Sequence, residues 1–473
     1  LSDEALHYRS LSSIADEIRT RSISPVELTE ALLARIDALD STLLSYATVM
    51  ADQALDDARR AEQEIVSGNY RGPLHGVPIA LKDLCYTAGT RTMGGARVYR
   101  DFVPTFDATV VRRLRDAGAV ILGKLNLTEG ALSGYHRDFP IPVNPWHADL
   151  WTGVSSSGSG VATAAGLCFA AISTDTGGSI RYPSMANGVV GLKPTYGRVS
   201  RYGVLELAAS LDHVGPMART VKDAAILFEA IAGFDERDAT ALNEPLPRIL
   251  EALSDDLGGL RIGLDERYLS EGTDTGLVEA IHSAVEVLAE KGAQIVEVSM
   301  PQLVPMELRS AWLPICAFEA AQAHSASYPS RADDYGGYLG DALKMGASMT
   351  AADYTSAMEL RASIVAQFDA SMAGVDAVIC PSGGSVFSVE KAVQYGDMEA
   401  LKPVIQRFQG QFTIPADLAG TPTITVPCGF SAEGHPYTLQ LLGNRLSELA
   451  LCRIAHAYEC ASPWHKQHPT IVI

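Results

Sequence analysis

A chain of 473 residues, 47% hydrophobic and 20% charged, can bury a sizeable core and is too apolar to remain disordered. Its formal net charge of −19 argues against an extended nucleic-acid footprint, which needs clustered Lys and Arg, and is equally poor for anionic membrane surfaces. The expected partner is a small-molecule substrate, neutral or modestly charged. Asp3, Glu4 and His7 do not form the basic-then-apolar pattern of a signal, although a chain starting at Leu1 leaves a removed leader open. No run of about 18 apolar residues occurs, so no membrane span is expected. The seven cysteines (85, 168, 316, 380, 428, 452 and 460) show no CxxC spacing and read as buried free thiols of a reducing, cytoplasmic compartment.

In chain order, Ser24-Pro25-Val26-Glu27 predicts a helix start, with Ser as N-cap and Pro in the first turn. Leu28, Leu32, Ile36 and Leu39 follow at helical spacing. Residues 77–81 form a short apolar run that places Lys82 and Asp83 at its exit. Asp107 is the expected N-cap of a helix through Val110, Val111 and Leu114, ended by Gly118 and followed by a buried strand over 119–123. Residues 278–291 predict a helix leading into a strand at 294–298, and 375–380 and 423–426 are further core strands. The alternation predicts an α/β fold with a large mixed or parallel central sheet wrapped by helices. Neither a low-complexity linker nor a repeat divides it. The polar, Pro-containing stretch 235–247 reads as a surface excursion, so one domain over 1–473 is expected.

The centre of the chain is unusual. Gly153-Val154-Ser155-Ser156-Ser157-Gly158-Ser159-Gly160 runs directly into Val161-Ala162-Thr163-Ala164-Ala165-Gly166. A flexible linker would not continue into an Ala-rich apolar run, which instead predicts a loop feeding a buried helix. A phosphate loop is the next option, but the GK[ST] ending is missing. Downstream, Thr174-Asp175-Thr176-Gly177-Gly178-Ser179-Ile180-Arg181-Tyr182-Pro183 sets a serine behind two glycines. The N–H groups of Thr176, Gly177, Gly178 and Ser179 could converge there on one oxyanion. Gly-Gly-Ser alone is common in turns and carries little weight.

The combination is more specific. Ser155 and Ser179 are 24 residues apart, with Pro78-Ile79-Ala80-Leu81-Lys82-Asp83 upstream. Leu122 to Glu129, Asn144-Pro145-Trp146, Gly188 to Thr195, Arg198 to Arg201, Asp212 to Pro216 and, more weakly, Ala419 to Pro422 extend the match. Together they closely resemble the amidase signature family, most densely over about 70–220, the expected catalytic core. The resemblance implies an amidase-signature-type fold and a Ser–cis-Ser–Lys triad of Ser179, Ser155 and Lys82. Ser179 would attack the carbonyl carbon, and Ser155 would relay its proton to a neutral Lys82. That role suits a lysine buried at an apolar strand end. Asp175 and Arg181 are expected to support the nucleophile loop. Ala131, Leu132 and Tyr135 fall where relatives line the acyl pocket. One departure is Val154, where many members carry Gly.

His136, His147 and His213 invite a Ser-His-Asp or metal reading. However, neither G-x-S-x-G nor HExxH is present, so surface or hydrogen-bonding roles are expected, with no metal and no cofactor. Cys168 sits in core-like company. Three functions stand: a free-standing hydrolase of a small amide, with esters or carbamates also within reach; the glutaminase-type A subunit of a tRNA-dependent amidotransferase; and a non-catalytic binding protein. The intact triad disfavours the third. Tyr182, where A subunits tend to carry Gln, and the run 134–140 favour the first. Substrate choice falls to variable regions at 130–140, 305–350 and 382–400, which carry no readable code. Oligomeric state stays open, a homodimer among the options.

Overall fold

The computed structural model describes residues 5–303 and 305–471. The first half supplies β1 (Tyr46–Val49), β2 (Pro78–Lys82), β3 (Val120–Leu125), β4 (Ala170–Asp175), β5 (Val190–Lys193) and β6 (His213–Ala218). The second supplies β7 (Arg261–Leu264), β8 (Gln294–Glu297), β9 (Ala377–Pro381), β10 (Thr423–Phe430) and β11 (Pro436–Gly443). Among the described residues they form one sheet in the order β1-β3-β2-β4-β6-β5-β10-β11-β9-β7-β8. It is mixed: β3-β2-β4 and β8-β7-β9 are parallel and the pairs between these groups antiparallel. β2, β3 and β4 are buried along their whole length, as near-continuous apolar runs require under helices on both faces.

The predicted helix start at Ser24 forms. The Ser24 hydroxyl accepts from the N–H groups of Val26 and Glu27, and the helix runs Pro25–Leu43. Asp107 does not cap its helix. The helix Thr109–Asp116 starts after Ala108, which sits in the cap position without a side-chain bond. Asp107 is taken up elsewhere: it accepts from Ala88 N–H at 2.8 Å and pairs with Arg115 at 3.1 Å. The stretch 235–247 has no helix or strand, yet it is pinned down. Asp235 accepts from Ser200 Oγ at 2.7 Å, and Arg198 holds the carbonyls of Glu244 and Pro245. All seven cysteines are free; six are buried and Cys460 is exposed. No described helix is long and apolar enough to cross a membrane.

The Gly/Ser run becomes the helix Ser157–Ala164, every residue of which is buried. Its small residues let it lie against backbone. A Cβ at Gly158 would meet Ser45 O at 2.5 Å and Asn126 O at 2.6 Å, and one at Gly160 would meet Asn187 Nδ2 at 2.5 Å. Gly158→Ala is therefore expected to destabilise the protein by about 1–3 kcal/mol through overpacking, read as a lower urea midpoint. An unchanged midpoint would mean that the helix is not held this tightly.

Candidate active site

Lys82 is the last residue of β2, and Thr174 lies near the end of the neighbouring parallel β4. Both are buried, and Lys82 Nζ lies 2.7 Å from Thr174 Oγ1 and 2.7 Å from Ser155 Oγ. Burial pushes the Lys82 ammonium down to about 7, against the opposing pull of Asp175 and, less strongly, Cys85 and Asp212. Asp83, next in sequence, is not its counter-ion. Asp83 pairs with Lys124 at 3.0 Å and accepts from Met93 N–H at 2.9 Å. Lys82 thus has hydroxyl neighbours where a structural cation would have a carboxylate.

Ser155 precedes the buried Gly/Ser helix, and the Val154–Ser155 peptide is cis. The Ser155 carbonyl accepts from Thr128 N–H at 3.2 Å, and Ser156 Oγ donates to Thr174 O at 3.2 Å. The loop carrying Ser155 is therefore tied to the strand end beside Lys82.

The turn that carries Ser179, the candidate nucleophile, leaves β4 at Asp175, whose carboxylate organises the next six residues. Asp175 accepts from Gly178 N–H at 2.6 Å and Ile180 N–H at 2.9 Å, and from Arg181 Nη2 at 2.9 Å and Nε at 3.1 Å. Burial alone would raise the Asp175 carboxyl, but the Arg181 guanidinium holds it far below the usual carboxylate range. Arg181 is wholly buried, with Asp417 at 2.5 Å and the Thr413 carbonyl at 2.7 Å on its other side. Asp175 and Arg181 thus occupy the expected supporting positions and do not reach the chamber.

Two assignments change. Gly178 N–H is not free for an oxyanion, because the Asp175 carboxylate already takes it. Among the described residues the N–H groups of Thr176, Gly177 and Ser179 make no such bond, so these three remain as candidate donors. Tyr135 does not line the chamber. It is buried behind it, donating to Ser157 Oγ at 2.7 Å. Ala131 and Leu132 do line it.

The chamber above Ser179 has a volume of about 660 Å³, within the ~300–1,000 Å³ of small-molecule sites. Thr176, Gly177, Ser179 and Val154 contribute to its floor, and Tyr182 stands beside them. Its walls include Leu308, Trp312, Leu313, Met345, Leu401, Ile405 and Phe408. No local pattern in the sequence marks these wall residues, and 401–414 lies outside the three variable regions. Trp312 Nε1 donates to Thr176 O at 2.8 Å, and the indole covers Gly177, where a Cβ would meet the ring at 2.8 Å. Tyr182 Oη donates to Phe408 O at 2.8 Å and so joins the segment just after Ser179 to the Phe408 wall. His213 is buried and bonds the Leu211 carbonyl at 2.6 Å, His147 is exposed, and neither lines the chamber.

Removing one member of a buried ion pair strands the other charge, at a cost of about 3–5 kcal/mol. Asp175→Ala is expected to lose stability in that range, measured by urea denaturation. A loss well under 1 kcal/mol would mean that Asp417 alone satisfies Arg181.

The amidase family pattern matches residues 27–452. The chain is 42% identical over 478 residues to AmiD of Mycobacterium tuberculosis, a protein provisionally named an amidase; the match covers 100% of this chain and 98% of the relative. It is 39% identical to the A subunit of the glutamyl-tRNA(Gln) amidotransferase of Methylococcus capsulatus, over 98% of this chain and 99% of that protein. Among solved structures, native peptide amidase from Stenotrophomonas maltophilia aligns with a TM-score of 0.84 at 31% identity, covering 98% of each chain. With the eleven-stranded mixed sheet and the site built at the ends of β2 and β4, these matches lead to one conclusion: the chain belongs to the amidase family, the amidase-signature enzymes.

Proposed function

We propose that this chain hydrolyses the C–N bond of a small amide bearing an apolar group, through an acyl-enzyme on Ser179. The observation that carries the reading is the 2.7 Å contact between Lys82 Nζ and Ser155 Oγ, buried beneath a chamber lined by Ser179. Ser179 Oγ attacks the carbonyl carbon as its proton passes to Ser155 Oγ and the Ser155 proton passes to Lys82 Nζ. The N–H groups of Thr176, Gly177 and Ser179 face the oxygen that becomes negative. When the C–N bond breaks, the proton returns through Ser155 to the departing nitrogen. Water then attacks the Ser179 ester by the same relay and releases the acid. The attack serves any acyl carbonyl, so esters and carbamates are within its chemistry. These steps consume only water and call on no cofactor.

A second reading, glutamine hydrolysis as the A subunit of an amidotransferase, is supported by the 39% identity to one such protein over nearly the whole chain. The lining weighs against it, since glutamine's α-ammonium would meet apolar side chains and the cations Arg309 and Lys402 and, among the described residues, no carboxylate. Glutamine hydrolysis that appears only with added partner subunits would favour it over the first reading.

The nucleophile is tested by mass spectrometry after treatment with a sulfonyl fluoride or phosphonate. The adduct is expected on Ser179, and an adduct elsewhere, or full activity in Ser179→Ala, overturns the assignment. The base is tested by pH. Only unprotonated Lys82 can accept the relayed proton, so kcat/KM should rise with pH through a midpoint near 7. Lys82→Arg, which cannot give up its proton, should lose on the order of 10²–10⁴ in rate, as should Lys82→Ala. A folded Lys82→Arg enzyme with near-normal turnover rules the relay out.

A further inference from the structure

The chain carries 56 acidic and 37 basic residues, yet the chamber lining has the opposite sign. It includes Arg309 and Lys402 and, among the described residues, no Asp or Glu. The two cations differ in what surrounds them. Lys402 is exposed and paired with Glu399. Arg309 is half-buried, and among the described residues no charged or hydrogen-bonding partner acts on it. Burial without a partner disfavours the charged form, and its guanidinium is accordingly held below its ordinary value. A guanidinium removed from part of its water with no acceptor supplied is uncompensated unless a ligand brings one.

Its helix is anchored beside Ser179. Arg309 and Trp312 are both on the helix Pro305–Ala323, three residues apart, which is roughly one turn and ~4.5 Å along the axis. Trp312 is bonded to the Thr176 carbonyl at 2.8 Å, so the helix is tied to the nucleophile turn through this side chain. Arg309 and Ser179 line one chamber, and the helix that carries Arg309 is anchored beside the serine.

We infer that the preferred substrate is an amide whose apolar body ends in a carboxylate, the carboxylate being bound by Arg309. The inference rests on the amidase reading and narrows it to a substrate class. Guanidinium meets carboxylate through two parallel N–H···O bonds, which an uncharged tail of the same length cannot form. Arg309 then acts on binding and selection, and the bond-breaking steps at Ser179 do not involve it.

The experiment compares matched p-nitroanilides, one of a straight-chain fatty acid and one of the dicarboxylic acid of the same length, each hydrolysed by the wild type, Arg309→Met and Arg309→Lys. The wild type is expected to prefer the carboxylate-tailed substrate in kcat/KM by about 10- to 100-fold, the range of a charge-assisted bond, mostly through KM. In Arg309→Met the ratio should fall to near one, and Arg309→Lys should keep part of it. A wild-type ratio near one, or a ratio untouched by Arg309→Met, overturns the inference. Calorimetric binding of both anilides to Ser179→Ala, with and without Arg309→Met, separates the two claims. If neither anilide is cleaved but the tailed one binds in an Arg309-dependent way, the amidase reading fails for these substrates and the subsite stands. If the neutral anilide is cleaved in a Ser179-dependent way with no Arg309 effect on binding or rate, the subsite fails and the amidase reading stands.

Discussion

The ion pair between Asp175 and Arg181 is the contact on which the site's geometry turns. Asp175 ends a central strand, and its two carboxylate oxygens hold the Gly178 and Ile180 amides while gripping Arg181. Those bonds force the chain to double back, so that Ser179 emerges towards the chamber while the chain on either side is buried. The left-handed φ of +127° at Gly178 and the indole against Gly177 leave no room for a Cβ at either position. Arg181 carries the constraint across the molecule, to Asp417 and Thr413 from a segment more than two hundred residues away. A buried pair of this kind contributes more to specifying one arrangement than to net stability, because much of its attraction is offset by lost hydration.

Desolvation has the opposite consequence a few ångströms away. Lys82 is equally buried but is given hydroxyls and no adjacent carboxylate, so burial pushes it towards neutrality, whereas Asp175 stays charged because Arg181 overrides the same effect. Lys124, a buried lysine on the neighbouring strand β3, is paired directly with Asp83. The two lysines leave neighbouring strands with different partners, and a difference of one contact separates a structural charge from a candidate base.

Much of this was legible in the sequence where chemistry and local pattern coincide. The apolar run ending in Lys82, the small-residue helix after Ser155 and the Gly-Gly-Ser turn each have a local signature, and strands such as 294–298 and 423–426 were marked by their β-branched residues. Misses arose where a side chain had more than one suitor. Asp107 looks like a cap, but Ala88 N–H and Arg115 compete for it successfully. Gly178 sits amid an apparent run of free amides, yet the carboxylate three residues earlier reaches it first. Tyr135 is close to the lining in sequence but turns back to Ser157. Thr174 and Trp312 reach the site only through tertiary contacts, which no spacing encodes.

The chamber walls come from segments that the sheet does not need for its own pairing. Leu308 to Leu313 and Met345 lie in the long excursion between β8 and β9, and Met398 to Ile414 in that between β9 and β10. The proposed base, relay and nucleophile all lie between Lys82 and Arg181. The two parts are distant in sequence and are joined by tertiary hydrogen bonds such as Trp312 to Thr176, Tyr182 to Phe408 and Arg181 to Thr413. Mutation can therefore remodel what the enzyme accepts while what it does to an acyl group is inherited intact. Drift in diet, with conservation of appetite for the bond itself, is built into the order in which this chain threads its sheet.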